Sequence, residues 1–584
     1  MSKSTSSVLQ RKLRLLNNRA QEALKGAKYE EALLLYSEIL ELSQNRRGQL
    51  LRVIALGRAA QLLSMTKRYE EAERVAKAYI EEVEGTGHEE AHKTRALAIL
   101  AEVYLESEQY LRAEEQLAIV IEAYKKEGNA LYLAAQHGNL AIVKQFLGKT
   151  EEALEQFQNA GKIYEHAGEK QALSTTKRLM GSAYERLGRG DEAQEAYMES
   201  LLLARAVASR ELELHSTIAY AKLSLMRGEV RTACNYFAEI HKNLNNIPKE
   251  RAFYAFLLEY ALAAERRLEF RFASEAYKEI EKQCSEKLPE IYHAALFAKS
   301  SLMVQRLEFA NAQNDAERAL NYAIEASNVN LHFALKLQSA QRALEVGELM
   351  LCERVLAEAK ELINESENVV FMAPIHILEG KIAFRQLKIQ PALEYISKAI
   401  SIYNDAADFT HSQLSTLLKQ AVMFYDGCDI SDYVVQLLAV LEFCESEQNE
   451  TLSLAIKQFL VKYYLSIEKF ELSSTYLKQI KAKLNPEFMP RELLWQRLVE
   501  AAITLARPVL ELEEVEKMLD LCRADIDFCK EHRLGSSLVQ CYELMSKLLA
   551  FSRDDLGATK FACKFNELSE SLGLRLDWAR VLYY

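Results

Sequence analysis

The chain has 584 residues, of which only 20 are glycine and 7 proline, and its formal net charge is −11. So few turn-forming residues exclude a β-sandwich, a collagen-like repeat and a disordered chain, and leave long helices with short joints. The acidic balance works against direct nucleic-acid binding, which needs a basic surface interleaved with aromatic residues.

From the N-terminus, residues 1–8 read as a disordered tail without the apolar stretch of a signal peptide. Arg11, Lys12, Arg14 and Arg19 then form a mildly basic start, the solvated face of a capping helix. No apolar run approaches the ~20 residues that span a bilayer. The nine cysteines begin at Cys234 and include no CxxC pair, the usage of buried, reduced thiols. Together these point to a cytoplasmic protein.

An internal repeat dominates the chain. Ala32, Ala72, Ala113, Ala153, Ala193, Ala233 and Ala273 each follow a polar or glycine joint and precede an aromatic residue or leucine. Fainter copies continue at Ala312, Cys352, Ala392, Tyr433, Ser473, Val515 and Ala558, with intervals of 39 to 43 residues, so fourteen units cover nearly the whole sequence. Each unit reads as two amphipathic helices; in the fifth these are 171–187 and 191–207, with Gly188 and Gly190 at the joint. A small residue such as Ala193 is needed where the second helix crosses the first, because a larger one would push the axes beyond the usual 8–10 Å. A lone pair cannot bury both apolar faces, so successive pairs must stack.

The punctuation changes along the chain. Glycines concentrate before residue 229, whereas all seven prolines lie at Pro248 or later. On this basis 9–247 is a regular array of six units, 248–485 a divergent array, and 486–584 a C-terminal helical segment. Pro486 and Pro490 flank Glu487-Phe488-Met489, the best hinge candidate.

Gly181, Tyr184, Gly188, Ala193 and Tyr197 in the fifth unit, Leu140, Gly148, Ala153, Phe157 and Ala160 in the fourth, and Tyr104, Tyr110 and Ala113 in the third resemble the tetratricopeptide repeat. The period departs from the 34 residues of the basic motif and is similar to the long-repeat variety of kinesin light chains, spindle-orientation adaptors and bacterial sensor domains. The resemblance implies an all-α, right-handed α-α superhelical solenoid of about fourteen hairpins. It also implies a concave groove, lined by the first helix of each pair, that receives a peptide. Candidate groove residues are Arg95 and Glu102 in unit three, Asn139, Ile142 and Gln145 in unit four, Arg178, Ser182, Glu185 and Arg186 in unit five, and Ile218, Lys222 and Met226 in unit six. Asn139 matches an asparagine that holds ligand backbone in such repeats, a role suited to an amide that donates and accepts.

His88-Glu89-Glu90-Ala91-His92 satisfies the HExxH pattern, which sets two zinc ligands one turn apart around a general base. Its context argues for a solvated helix start instead: Gly85-Thr86-Gly87 precede it, Glu90 and Lys93 are charged, and no third ligand is evident. No phosphate loop, dinucleotide fingerprint or nucleophile elbow occurs. The expectation is a non-enzymatic scaffold or adaptor for protein partners, with no metal or cofactor. The alternative is a sensor subunit whose array changes curvature on binding a peptide or small ligand.

Overall fold

The computed structural model describes residues 3–26, 28–43, 49–83, 89–242, 250–346, 348–363, 369–506 and 511–571; of these, the side chains of 3–8, 49, 89–91, 512, 536 and 571 are outside the description. The helices divide between two compact units, Met1–Ser216 and Thr217–Tyr584.

In the first unit α1 (Lys3–Lys25) pairs with α2 (Tyr29–Leu42), α3 (Gln49–Met65) with α4 (Tyr69–Val83) and α5 (Glu89–Glu106) with α6 (Tyr110–Glu127). α7 (Ala130–Phe146) pairs with α8 (Thr150–Ala167) and α9 (Lys170–Arg186) with α10 (Gly190–Ala206). α11 (Arg210–Met226) crosses the division and is followed by α12 (Val230–Lys242). The second unit continues with α13 (Arg251–Arg266), α14 (Phe270–Cys284), α15 (Pro289–Gln305), α16 (Phe309–Glu325), α17 (Val329–Val346) and α18 (Leu349–Ile363). Then come α19 (Met372–Arg385), α20 (Ile389–Asp405), α21 (Phe409–Tyr425), α22 (Ser431–Ser446), α23 (Glu450–Ser466) and α24 (Phe470–Lys481). α25 (Pro490–Leu505), α26 (Leu512–Glu531), α27 (Gly535–Phe551) and α28 (Asp555–Ser571) complete it. Among the described residues there is no strand. This is a TPR-like α-solenoid, and each repeat position of the sequence, from Ala32 to Ala558, falls on an even-numbered helix. Helix α1 begins at Lys3, within the stretch expected as a tail.

The small residues do the work their spacing implied. Ala32, Ala72, Ala113, Ala153, Ala193, Ala233, Ala273, Cys352, Ala392 and Ser473 are all fully buried. The fifth pair shows how close the approach is. A Cβ on Gly181 would lie 2.5 Å from the ring of Tyr197, so the aromatic ring of the second helix rests directly on the backbone of the first. The Tyr197 hydroxyl then donates to Glu185 at 2.8 Å. Tyr277 repeats the arrangement twelve residues after Glu265.

Odd-numbered helices also touch their odd-numbered neighbours, α1 with α3, α3 with α5 and α5 with α7, which puts them on the inner, more closely spaced side of the first unit. An arginine at the end of one inner helix caps the preceding one: Arg186 Nη1 donates to the carbonyl of Gln145 at 3.4 Å, and Arg266 Nη1 to that of Leu225 at 3.3 Å. Arg385 does the same to Leu344. Each guanidinium sits where a helix C-terminus leaves unpaired carbonyls and a negative dipole end.

Most described joints share one geometry. A single residue with φ between 51° and 84° follows the helix, as at Lys67, Glu108, Gly128, Gly148, Gly168, Gly188 and Ala208 in the first unit. Its N–H bonds back to the last turn and the next N–H reaches one residue further, as in Gly128 to Lys125 (3.3 Å) and Asn129 to Tyr124 (3.2 Å). Leu268, Leu307, Ser327, Leu387, Ala407, Gln448, Glu468, Arg533 and Arg553 adopt the same left-handed conformation in the second unit. Most of the later joints thus share the early geometry, while the α14–α15 and α24–α25 joints follow a right-handed C-cap at Ser285 and Ala482 instead.

The second unit winds back on itself. Gly228 faces the rings of Phe409 and Phe443, with no room for a Cβ, and Arg231 N–H donates to the Glu447 carbonyl at 2.6 Å. These contacts tie residues after 217 to helices about two hundred positions later, all within the second compact unit. Thr451 Oγ1 donates to the Arg266 carbonyl at 3.2 Å, and Arg491 pairs with Glu345 at 3.1 Å. The segment expected to hinge, Pro486 to Pro490, is a clasp instead. Phe488 is 3% exposed, stacks on Phe270 at 5.6 Å and lies under the guanidinium of Arg306 at 5.0 Å. Its apolar side chain is worth more buried against α14 than exposed in a linker. Pro490 occupies the first turn of α25, where its missing N–H costs nothing.

Candidate protein-binding surface

The inner face of the first unit carries a concavity of about 480 Å³. Gln61, Ser64 and Met65 enter it from α3, Ile99, Glu102, Val103, Leu105 and Glu106 from α5, and Asn139 from α7. Three consecutive inner helices thus converge on one depression, and two of the sequence-selected residues, Glu102 and Asn139, meet there. Burial pushes the Glu102 carboxyl above the usual carboxylate range, against the lowering effect of a hydrogen bond from Gln61 and the more distant charge of Arg95. Arg95 itself is exposed on the same helix.

The remaining selected positions are dispersed. Arg178 is half-buried on α9, and burial lowers its guanidinium, with only the Tyr197 phenol opposing. Ser182 hydrogen-bonds the Tyr197 hydroxyl and Glu185 accepts from it, so both serve the crossing of their own hairpin. Gln145 is not among the residues lining this concavity; it is 9% exposed and its Nε2 is buried without a hydrogen-bond partner. Arg186, chosen for the groove, is spent on the Gln145 carbonyl. In the second unit, Lys222 is exposed on α11 and pairs with Glu259 of α13 at 2.9 Å. Of these uses only the arginine caps had a sequence signal: Arg186, Arg266 and Arg385 stand 80 and 119 residues apart, close to two and three repeat intervals.

His88 lies outside the described residues. His92 sits half-buried on α5. Among the described residues no group of three or more His, Cys, Asp or Glu side chains could hold a metal. Cys234 and Cys352 are buried at their repeat positions, and Trp495 packs with Val461, Leu477 and Ile480; Trp578 lies outside the described residues. His137 Nδ1 contacts Gln156 Oε1 at 2.8 Å beside the α7–α8 crossing. No described helix is long and apolar enough to cross a membrane.

A larger cavity of about 910 Å³ lies in the second unit between α16, α17 and the α26–α27 joint. Its charged lining is mixed, with Arg342 over the ring of Phe309 and Arg491 paired to Glu345, while Glu348, Glu531 and Arg533 add charges of both signs. That wall gives no preference for one ligand charge.

No family model and no curated protein matches the chain. Solved structures of repeat proteins do. The TPR-like repeats of a Podosopora anserina kinesin light chain protein match at 17% identity over 34% of this chain and 98% of that one, with a TM-score of 0.30. BtubC (BKLC) from P. vanneervenii matches at 16% identity over 42% and 95%, with a TM-score of 0.31. The APC/C hetero-tetramer Cut9–Hcn1 matches at 13% identity over 97% and 99%, with a TM-score of 0.46. TM-scores below 0.5 assign no role. The architecture, an α-solenoid of consecutive helix hairpins, is read from this chain's own helix pairs.

Proposed function

We propose that the chain is a non-enzymatic scaffold whose first unit holds an extended segment of a protein partner along its inner helix face. The observation that carries this reading is the convergence of Glu102, Asn139 and Gln61 on one concavity between three successive inner helices. Repeat arrays bury their apolar faces between repeats and leave the inner face as a long, continuous surface, which suits a partner better than a small reactant. Asn139 is half-buried and its amide both donates and accepts, so it can hold a peptide group from either side. Arg178, two hairpin helices further along, supplies an anchor for a carboxylate. The nine free cysteines support a reducing, cytoplasmic setting.

Affinity capture from native extract, comparing the wild type with Asn139→Ala/Arg178→Glu, tests the proposal. Loss of a set of partners from the variant, at unchanged helical content, supports it. Retention of every partner overturns the assignment of this face.

A further inference from the structure

Resting on that reading, we propose that the concavity between α3, α5 and α7 receives a cationic side chain, lysine or arginine, of the partner's segment. Glu102 and Glu106 stand one turn apart on α5, and among the described residues no lysine or arginine nitrogen lies within ion-pair distance of either. Like charges at this spacing repel, and a half-buried carboxylate without a counter-ion leaves a cost that an arriving cation removes.

A second observation is independent of the acidic pair. Ser64 is 8% exposed, lines the same concavity, and its Oγ has no hydrogen-bond partner. A buried hydroxyl left unpaired costs about 1–3 kcal/mol, so the site is incomplete as it stands. Ser64, Gln61 and Asn139 offer neutral oxygens around the carboxylates, matching the several donors of an ammonium or guanidinium. Met65, Ile99, Val103 and Leu105 form the apolar walls that the methylene stem of such a side chain would cover. A bare metal ion would leave most of the roughly 480 Å³ unfilled; a long side chain with a charged tip fills it. The charged and titratable groups facing Glu102 are Arg95 and Glu106 on its own helix and Tyr124 from α6, with neutral Gln61 and Asn139 from the flanking helices.

The probe is a random dodecapeptide phage library selected on the full chain and on Glu102→Gln, with Glu106→Gln as a second variant. Enriched peptides should carry lysine or arginine at one fixed position on the wild type and lose that preference on Glu102→Gln. A synthetic peptide from the wild-type pool should weaken about tenfold when its basic residue becomes norleucine, and should not distinguish the two forms on Glu102→Gln. Enrichment without a fixed basic position, or a basic preference that survives both variants, overturns this proposal while leaving the groove reading in place. No enrichment on the wild type overturns both.

Discussion

The two units solve the same geometric problem with different residues. In the first, Gly128, Gly148, Gly168 and Gly188 occupy four consecutive left-handed joints. In the second, glycine remains among the described joints only at Gly228 and Gly427, and leucine, alanine, serine, glutamine, glutamate and arginine hold the same backbone conformation with φ between 51° and 63°, as Lys67, Glu108 and Ala208 do in the first. An L-residue with a side chain gives up roughly 1–2 kcal/mol there. The second unit tolerates that cost many times over, which teaches that the joint is fixed by hairpin packing and glycine only lowers its energy. A second difference accompanies the first. The first unit leaves a concavity on its inner helices, whereas the other holds distant hairpins together through Phe488, Arg231 and Arg491.

The largest test of that contrast is the clasp. Phe488→Ala should destabilise the second unit by about 3–5 kcal/mol, and limited proteolysis should then cut between 486 and 490, where the wild type resists. Equal resistance in the variant would show that the clasp does not hold the hairpins.

Next comes acidity. Burial raises the Glu265 carboxyl to about 7, although the Tyr277 hydrogen bond favours ionisation. A carboxyl raised in the fold contributes stability that is present below its unfolded value near 4.5 and lost as pH climbs through 7. Urea unfolding followed between pH 5 and 8 should therefore show the second unit weakening by up to about 3 kcal/mol. Glu265→Gln should flatten the slope, and an unchanged slope would place the titration elsewhere.

The smallest effect is also the most direct on the joints. At Gly168 φ is +72° and no atom lies within 4 Å of where a Cβ would stand, so Gly168→Ala isolates the backbone cost of about 1 kcal/mol. Glu468→Gly, at φ +61°, should move stability in the opposite direction by up to that amount. Calorimetry of the pair separates joint strain from packing: shifts of the same sign would break the comparison.

Much of the fold was legible because it is local. The small residue at each helix crossing, from Ala32 to Ser473, must recur at the repeat period and was visible as such. The division at 216/217 and the clasp were not, since Phe270 meets Phe488 across more than two hundred residues and periodicity carries no information about such pairs. Glycine and proline misled for a related reason: they report how cheaply a joint is made, and the joint at Leu307 is made anyway. Of the groove candidates, the structure brings Glu102 and Asn139 to one concavity, while Gln145 is buried and Arg186 caps its carbonyl, because one residue's turn around an inner helix decides between concavity, interface and cap.

The joint after an odd-numbered helix and the joint after an even-numbered one are alike, as Gly148 and Gly168 show. Locally, then, the chain counts in single helices of about twenty residues, not in pairs. A duplication or deletion of one helix would leave the joints intact yet exchange inner and outer helices for all that follows, turning inner-face residues outward and crossing alanines inward. Length variation in such an array is consequently restricted to even numbers of helices, even though no individual joint enforces the rule.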